Sequence, residues 1–197
     1  VVAVNPLQEA GLLRFDNPQK ARGVVGRGTP IADVFLQVKL GGDQALFQAL
    51  GALLLAAEEA APGTVLDHTF VEERTRGFDE YAAHVTALDW DDVATATGLE
   101  RAQIEEVAGL LLGSGSTIVC WAMGLTQHKH SVATLRDVVN LLLLQGNIGR
   151  PGAGVCPVRG HSNVQGDRTM GIFEQMPEWF HDHLDAEFGF VSPREHG

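Results

Sequence analysis

The stretch from Ile118 to Gly171 constrains the fold more than any other part of the chain. Its first residues, Ile118 to Met123, form a short apolar run of the kind that buried strands show. A polar turn follows, and apolar residues then recur at helical spacing from Ser131 to Gln145. Glycines alternate with polar side chains over the rest of the stretch, which indicates backbone held close to a polar ligand. An ordinary surface loop is the alternative interpretation.

Composition limits the classes of protein to consider. With 197 residues the chain can bury a core of one domain or one and a half, and 45% hydrophobic against 20% charged residues is typical of a globular protein. A net charge of −11 argues against general binding of nucleic acid through its phosphates. Basic residues nevertheless gather in the key stretch and predict a local pocket for an anion: Lys129, Arg136, Arg150, Arg159 and Arg168.

The two cysteines, Cys120 and Cys156, are too few for a disulfide scaffold or for a self-contained zinc or iron–sulfur site. Cys120 lies in the apolar run and is expected in the core, and no metal ligand is predicted. The sequence shows no signal peptide and no membrane span, so the cytoplasm is the expected location. The chain starts at Val1 and stops abruptly at Gly197, which favours an excised piece of a larger protein.

Two strands are predicted before the first long helix. Val1 to Val4 reads as a buried strand that ends at Asn5-Pro6, and Ala32 to Leu40 alternates as a second strand. Ligand contacts in α/β folds lie at the carboxyl ends of strands, so Asn5 is either a ligand contact or part of a plain turn. Asp43 stands where an N-cap of the helix from Gln44 to about Ala60 belongs, and capping alone would explain it.

Amphipathic patterns predict further helices at residues 67–75, 78–85, 89–97 and 100–112. Adjacent acidic pairs such as Glu58-Glu59 are interpreted as a solvated face. The acidic segment after Trp179 is interpreted as exposed surface, although His181 and His183 with nearby carboxylates leave a metal site as an alternative.

Six motifs carry a resemblance that covers essentially the whole chain. They are Asn5-Pro6, 40–43 (LGGD), 75–81 (TRGFDEY), 122–128 (AMGLTQH), 146–152 (GNIGRPG) and 157–166 (PVRGHSNVQG). In this order they resemble the middle of a molybdopterin oxidoreductase of the dimethyl-sulfoxide-reductase superfamily, closest to formate-dehydrogenase-like alpha subunits. The last two motifs are the most specific.

The resemblance implies an α/β fold, a Rossmann-like parallel sheet with flanking helices. Residues 1–161 would form the later part of a molybdopterin-dinucleotide-binding domain, and residues 162–197 would return into the neighbouring domain. The implied cofactor is a molybdenum or tungsten ion held by two molybdopterin guanine dinucleotides, one of which this piece would bind. The resemblance also allows a 4Fe–4S cluster in an N-terminal part of the parent protein.

The matching motif positions imply a role for each candidate site residue. Asn5 and Asp43 would contact the guanosine end of the cofactor. Arg159 would be the active-site arginine beside the metal, where its guanidinium can hold an anionic substrate. The remaining positions would line the pterin and pyrophosphate or the loop beyond Arg159: Met123, Gly124, Gln127, Gly160, Asn163 and Gln165.

His161 departs from the pattern, because formate dehydrogenases resemble one another in having Gln at this position. It would add a titratable group near the metal and leaves the substrate open. The basic segment His128-Lys129-His130 is a second departure.

The sequence therefore predicts a fragment of a molybdenum-dependent oxidoreductase that performs two-electron chemistry as a whole protein and is inactive as an isolated piece. Expected partners are a small-molecule substrate, the remaining domains of the parent chain, an electron-transfer subunit, and other copies of the fragment through exposed apolar surface. The alternatives are a non-redox module that grips a nucleotide or anion through Asp43, Gln127 and Arg159, and a purely structural domain.

Overall fold

The computed structural model describes residues 1–21, 23, 28–161, 163–172 and 176–194. The chain divides into two compact units, Val1–Pro157 and Val158–Gly197, and each is considered by itself. Ser162, where the second predicted segment begins, and Glu195 and His196 of the acidic tail lie outside the described residues.

The first unit alternates short strands with helices. Its elements in chain order are β1 (Val2–Val4), α1 (Ala10–Leu13), β2 (Arg14–Phe15), β3 (Thr29–Pro30), β4 (Val34–Leu36), α2 (Asp43–Ala60), α3 (His68–Arg74), α4 (Phe78–Thr86), α5 (Trp90–Thr97), α6 (Arg101–Leu112), β5 (Ile118–Trp121), α7 (Met123–Thr126), α8 (Ser131–Leu144) and β6 (Gly154–Pro157). The second unit contains α9 (Val164–Thr169) and α10 (Glu178–Phe188).

The strands pair in twos. β1 runs parallel to β4, with Val2 opposite Val34 and Val4 opposite Leu36, and β5 runs parallel to β6. A short antiparallel pair joins β2 to β3. The predicted α/β class, with parallel strands and flanking helices, is confirmed. The second predicted strand is shorter than expected, since β4 covers Val34–Leu36 of the predicted 32–40.

The core is built around α2. Its side chains Leu46, Leu50 and Leu54 are at most 3% exposed and pack in one cluster with residues of α5, α6 and α8. Val2, Val4 and Val34 of the first parallel pair and Val119 and Trp121 of β5 pack against the same cluster. The helical core therefore covers one side of both pairs of strands, as expected for helices flanking a sheet.

Helix ends follow local chemistry. Asp67 and Asp89 cap α3 and α5 by accepting backbone N–H groups, and Gly98 ends α5 in the left-handed conformation. At the end of α8, Gly146 has φ +59° and donates to Leu143, while Asn147 donates to Leu142. This pattern is a Schellman motif, in which Gly146 terminates α8.

The prediction that Glu58 belongs to a solvated acidic face is wrong. Glu58 is 8% exposed, not solvated, because the chain turns back after α2 and surrounds its carboxylate. The backbone N–H groups of Gly63, Val65 and Leu66 donate to Glu58, and the ring of His68 lies 2.7 Å from its Oε1. Glu58 is therefore the acceptor that holds the turn between α2 and α3.

Asp137 links α8 to α2 within the core. Its Oδ2 accepts hydrogen bonds from Gln44 at 3.1 Å and from Gln48 at 2.8 Å, both on α2. Asp137 is 7% exposed, so these two amides supply the partners that its carboxylate would otherwise find in water.

In the second unit, the acidic residues of α10 have a structural role that the sequence did not predict. Arg194 contacts Glu178, Asp182 and Asp185, and the backbone N–H of Ser192 donates to Asp185 at 2.7 Å. His181, expected on exposed surface, is 5% exposed and its Nδ1 lies 2.9 Å from the hydroxyl of Ser192. The acidic helix thus fastens residues 192–194.

Candidate functional site

The carboxyl end of the first parallel pair carries Asn5. Its backbone N–H donates to Leu36 of the neighbouring strand at 3.1 Å, and its Nδ2 donates to the carbonyl of Leu7 at 2.6 Å. These two bonds fix the half-buried side chain where β1 ends. The backbone of Asn5 therefore continues the ladder of β1 with β4, and the carboxamide is held in place beside the strand ends.

Asp43 follows β4, the parallel partner of β1. The N-cap of α2 is Gly42, without a side-chain capping bond, and Asp43 is the first helical residue. The N-cap interpretation of Asp43 is therefore wrong by one position. Burial raises the pKa of the half-buried Asp43 carboxyl, while its own backbone N–H and the nearby His128 oppose this shift. Burial thus disfavours the charged form of Asp43, and donors on a ligand would favour it.

The predicted pterin loop follows β5. Met123 and Gly124 lie in the short α7, and Gln127 closes it by donating its backbone N–H to Met123 at 3.0 Å. All three are exposed. Within the part of the chain that the structure describes, nothing lies within 4 Å of the position where a Cβ on Gly124 would stand. Packing inside this unit therefore does not require a glycine there.

The charge of His128 acts on the carboxyl of Asp43 and lowers its pKa, against the larger effect of burial. Asp43 belongs to the segment after β4, and His128 follows Gln127 after β5. Both residues belong to segments that follow the carboxyl ends of parallel strands, the region where α/β folds bind ligands.

An open groove of about 530 Å³ lies beside Pro6 and Gln37, which follow the segments of β1 and β4. Its walls are formed by Pro6, Gln37, Val38, Lys39, Leu40, Gly98, Leu99 and Gln103. Gln37 donates to the carbonyl of Pro6 at 3.0 Å, and the Lys39 ammonium donates to the carbonyl of Thr95 at 3.0 Å. Both groups are held at the groove, whose volume is in the range of small-molecule sites.

The second unit holds the other predicted site residues. Arg159, Gly160 and His161 are exposed, and the side chains of Arg159 and His161 make no hydrogen bond or ion pair with any described residue. Asn163 donates to Asp167 at 3.1 Å, and Gln165 is exposed on α9. The Arg159 guanidinium therefore has its donors available, within the described part of the chain, for a ligand.

Arg150, one of the basic residues expected around an anion, also makes structural hydrogen bonds in the first unit. Its Nη2 donates to Asn147 Oδ1 at 2.5 Å and to the Gly115 carbonyl at 2.9 Å. Asn147, 1% exposed, also accepts the backbone N–H of Thr117 at 3.2 Å. The 146–152 motif thus fastens the segment entering β5. The signal in the sequence that could have indicated this role is the presence of Asn147 and Arg150 between the glycines of the 146–152 motif.

Cys120 is exposed, and the expectation that it belongs to the core is wrong. Its strand alternates, with Val119 and Trp121 toward the core cluster and Ile118 and Cys120 away from it. Burial, followed by interaction with the thiol of Cys156, raises the pKa of Cys120. Sequence reasoning treated the cysteines separately and missed that they are neighbours.

Within the described ranges, no three or more His, Cys, Asp or Glu side chains are grouped so that they could hold a metal ion. In the same part of the chain, no helix has both the length and the apolar character needed to cross a membrane.

Comparison with known proteins gives several long matches. The chain is 61% identical over 197 residues to an uncharacterized oxidoreductase of Mycobacterium tuberculosis, covering 100% of this chain and 25% of that protein. It is 38% identical over 141 residues to formate dehydrogenase H of Escherichia coli, covering 72% of this chain and 19% of that protein.

The chain is therefore similar to parts of proteins named as oxidoreductases, one of them a formate dehydrogenase. The resemblance stated from the motifs is therefore confirmed. The chain spans about a quarter of the length of the mycobacterial relative. No model of a protein family matches the sequence.

A solved structure shares the fold. Acetylene hydratase from Pelobacter acetylenicus superimposes with a TM-score of 0.54 and 26% sequence identity, covering 62% of this chain and 16% of that one. This neighbour is named as a hydratase, so a related fold occurs in a protein that is not named for redox chemistry.

Proposed function

We propose that the chain is the cofactor-binding part of a molybdenum- or tungsten-dependent oxidoreductase. It would bind a molybdopterin guanine dinucleotide through residues 1–161, while residues 162–197 return toward a neighbouring domain. The observation that carries the proposal is the position of two residues: Asn5 directly follows β1, and Asp43 begins the helix after β4, the parallel partner of β1.

The chemistry of these two residues fits a guanine base. Guanine presents two adjacent N–H donors, and a carboxylate accepts both at once. Burial raises the pKa of Asp43, so donors that reach this carboxylate would recover interactions lost from water. Asn5, whose Nδ2 is already bonded to Leu7, would offer its carboxamide oxygen as a further acceptor.

The segment after β5 fits the pterin and pyrophosphate part of the cofactor. Gly124 has no described neighbour at its Cβ position, so a ligand can approach the backbone there closely. Gln127 would supply an amide for hydrogen bonds to the ligand, and Met123 would cover it with apolar surface.

Arg159 and His161 would act on the substrate. A guanidinium fork without a described partner suits an anionic substrate such as a carboxylate, which it would hold and orient. The His161 imidazole would take up or release a proton near the reacting atoms. Gly160, Asn163 and Gln165 would form the loop that passes the cofactor. When bound, the metal cofactor supplies the two-electron chemistry, and the protein positions the reactants.

A second candidate is a non-redox function on the same cofactor-binding fold, which the likeness to acetylene hydratase favours. A full-length protein that contains molybdenum or tungsten and guanine, yet neither reduces nor oxidises artificial electron carriers with any substrate tried, would support this candidate.

The test of the guanine contact uses Asp43→Asn in the full-length protein. The neutral amide carries one acceptor and one donor where guanine needs two acceptors, so bound guanine released by acid hydrolysis is expected to fall about 10-fold or more. Asp79→Asn is the matched control, because it removes an exposed carboxylate from the first turn of another helix, α4. Equal guanine in both variants would contradict the assignment of Asp43.

A further inference from the structure

Cys120 and Cys156 lie opposite each other in a parallel pair of strands. They are register partners in β5 and β6, and both are exposed. Register partners on neighbouring strands point their side chains to the same face of a sheet. In β5 this is the face opposite to that of Val119 and Trp121, which pack against the core. The two thiols therefore stand side by side on the exposed face of the pair.

The spacing of the strands suits a disulfide. Neighbouring strands lie about 4.8 Å apart, and the Cα atoms of disulfide-bonded cysteines are usually about 4.4–6.8 Å apart. Register partners already stand within this range, so a bond between the sulfurs of Cys120 and Cys156 does not require the strands to move. The two thiols also interact directly, because a hydrogen bond to Cys156 adds to burial in raising the pKa of Cys120.

We propose that Cys120 and Cys156 are a site of reversible oxidation, at which a low-molecular-weight disulfide converts the two thiols into a disulfide that links β5 to β6. Small thiols and disulfides reach exposed sulfurs, and exposed disulfides are the ones that are readily reduced again. The bond is therefore a modification that can be formed and removed.

The reaction is a thiol–disulfide exchange in two steps. The Cys156 thiolate attacks one sulfur of the small disulfide, forms a mixed disulfide and releases one small thiol. Cys120 then attacks the sulfur of Cys156 and releases the second small thiol, and the two protons of the protein thiols pass through solvent to these leaving groups. The protein loses two electrons and the small disulfide gains them. Burial and Cys156 raise the pKa of Cys120, which favours Cys156 as the group that attacks first.

The disulfide would close a loop of the chain that contains α7 and α8, since both helices lie between the two cysteines. This loop includes Met123, Gly124 and Gln127. Oxidation would therefore restrict the segment for which pterin contacts are proposed. That consequence rests on the proposed function, whereas the bond between Cys120 and Cys156 does not.

The test incubates the reduced full-length protein with oxidised glutathione in anaerobic buffer. Remaining thiols are blocked with N-ethylmaleimide, and the protein is digested with trypsin without reduction and analysed by mass spectrometry. The expected main product joins the peptide of Cys120 to the peptide of Cys156, and dithiothreitol is expected to separate them. Recovery of the two cysteines mainly in other forms, whether alkylated, carrying glutathione or linked elsewhere, would overturn the proposal.

A matched control moves one thiol to the opposite face of the same strand. Val155 precedes Cys156 in β6 and is the register partner of Val119. In the double variant Val155→Cys/Cys156→Ser, the thiol at position 155 points away from Cys120, so the yield of linked peptide is expected to fall about 10-fold or more. An equal yield in this variant would show that the register does not direct the bond and would overturn the site.

The single variants test the order of attack. Cys120→Ser removes the group that resolves the mixed disulfide, so a glutathione adduct on Cys156 is expected to accumulate. In Cys156→Ser, the adduct on Cys120 is expected to form about 10-fold more slowly, because Cys120 ionises less readily than an ordinary thiol. Equal rates in the two variants would contradict Cys156 as the attacking group.

Discussion

The hydroxyl of Tyr81 on α4 lies directly over Gly51 in the middle of α2. A Cβ on Gly51 would stand 2.2 Å from Tyr81 Oη and 3.3 Å from its Cζ. The hydroxyl is buried and has no hydrogen-bond partner among the described residues, and burial followed by the charge of Asp137 raises the pKa of Tyr81. Gly51 therefore makes room for a side chain that crosses the helix.

Gly51→Ala is expected to destabilise the chain by about 1–3 kcal/mol, because the methyl group displaces the Tyr81 ring. Tyr81→Phe removes the clashing oxygen, which is already without a described partner, so the double variant is expected to recover most of the loss. Urea unfolding of both single variants and of the double variant measures this coupling. Additive effects would contradict the contact.

Gly109→Ala is the control for this prediction. Gly109 lies inside α6, and no described atom comes within 4 Å of its Cβ position. The substitution is therefore expected to stabilise the chain by about 0.5–1 kcal/mol through helix propensity alone. The same change of residue thus has opposite signs at the two positions.

The buried carboxylate of Glu58 is expected to make the free energy of unfolding depend on pH in the acid range. Three backbone N–H groups and His68 lower the pKa of Glu58 from 4.5 to about 2, with the bond from Gly63 as the largest cause. A carboxyl whose pKa is lower in the folded state stabilises the fold above its unfolded pKa and loses this contribution as pH falls. The loss is expected between about pH 4.5 and pH 2.

Glu58→Gln is therefore expected to lower the free energy of unfolding at pH 7 and to converge with wild type as the pH falls through this window. Chemical unfolding at a series of pH values provides the measurement. Glu59→Gln, which alters the exposed neighbour, is expected to run parallel to wild type throughout. A constant difference between Glu58→Gln and wild type from pH 7 to pH 2 would show that the carboxylate does not hold this turn.

Substitution of the exposed Arg159 is expected to reduce catalysis by the full-length protein without reducing its stability. In the full-length protein, Arg159→Ala is expected to reduce kcat/KM for the substrate that wild type turns over by about 100-fold or more, because the anion loses its charged fork. Arg159→Lys keeps the charge without the fork and is expected to recover part of the rate. Arg74→Ala, which removes an exposed arginine from α3, is the control. An unchanged rate in Arg159→Ala would contradict the substrate-binding role proposed for Arg159.

Periodicity predicted the helices well, because α2, α6 and α8 each bury one continuous apolar face whose spacing is visible in the sequence. The exceptions depend on contacts distant in the sequence. Glu58 reads as one of a solvated pair, and its burial becomes evident only once the chain turns back around it. Cys120 reads as core because its strand is apolar throughout, but only alternate residues of β5 face the helices.

In the candidate site, too, some features could be predicted from the sequence and others depend on contacts between distant segments. Among the residues that the motifs singled out, Asn5 directly follows β1, whereas Asp43 begins α2 and Gln127 closes α7. The register that places Cys120 opposite Cys156 could not be predicted, since the pairing of parallel strands depends on both strands and on what covers them. Arg150 was interpreted by its charge alone, but its Nη2 also donates to Asn147 and Gly115.

The central claim is that the chain binds a molybdopterin guanine dinucleotide. The most direct measurement is the metal and nucleotide content of the full-length protein, purified from a host that makes the cofactor. Mass spectrometry is expected to find about one molybdenum or tungsten per chain, and acid hydrolysis about two guanines. Neither metal nor guanine in the folded protein would contradict the claim and would leave the chain as a structural or simple anion-binding domain.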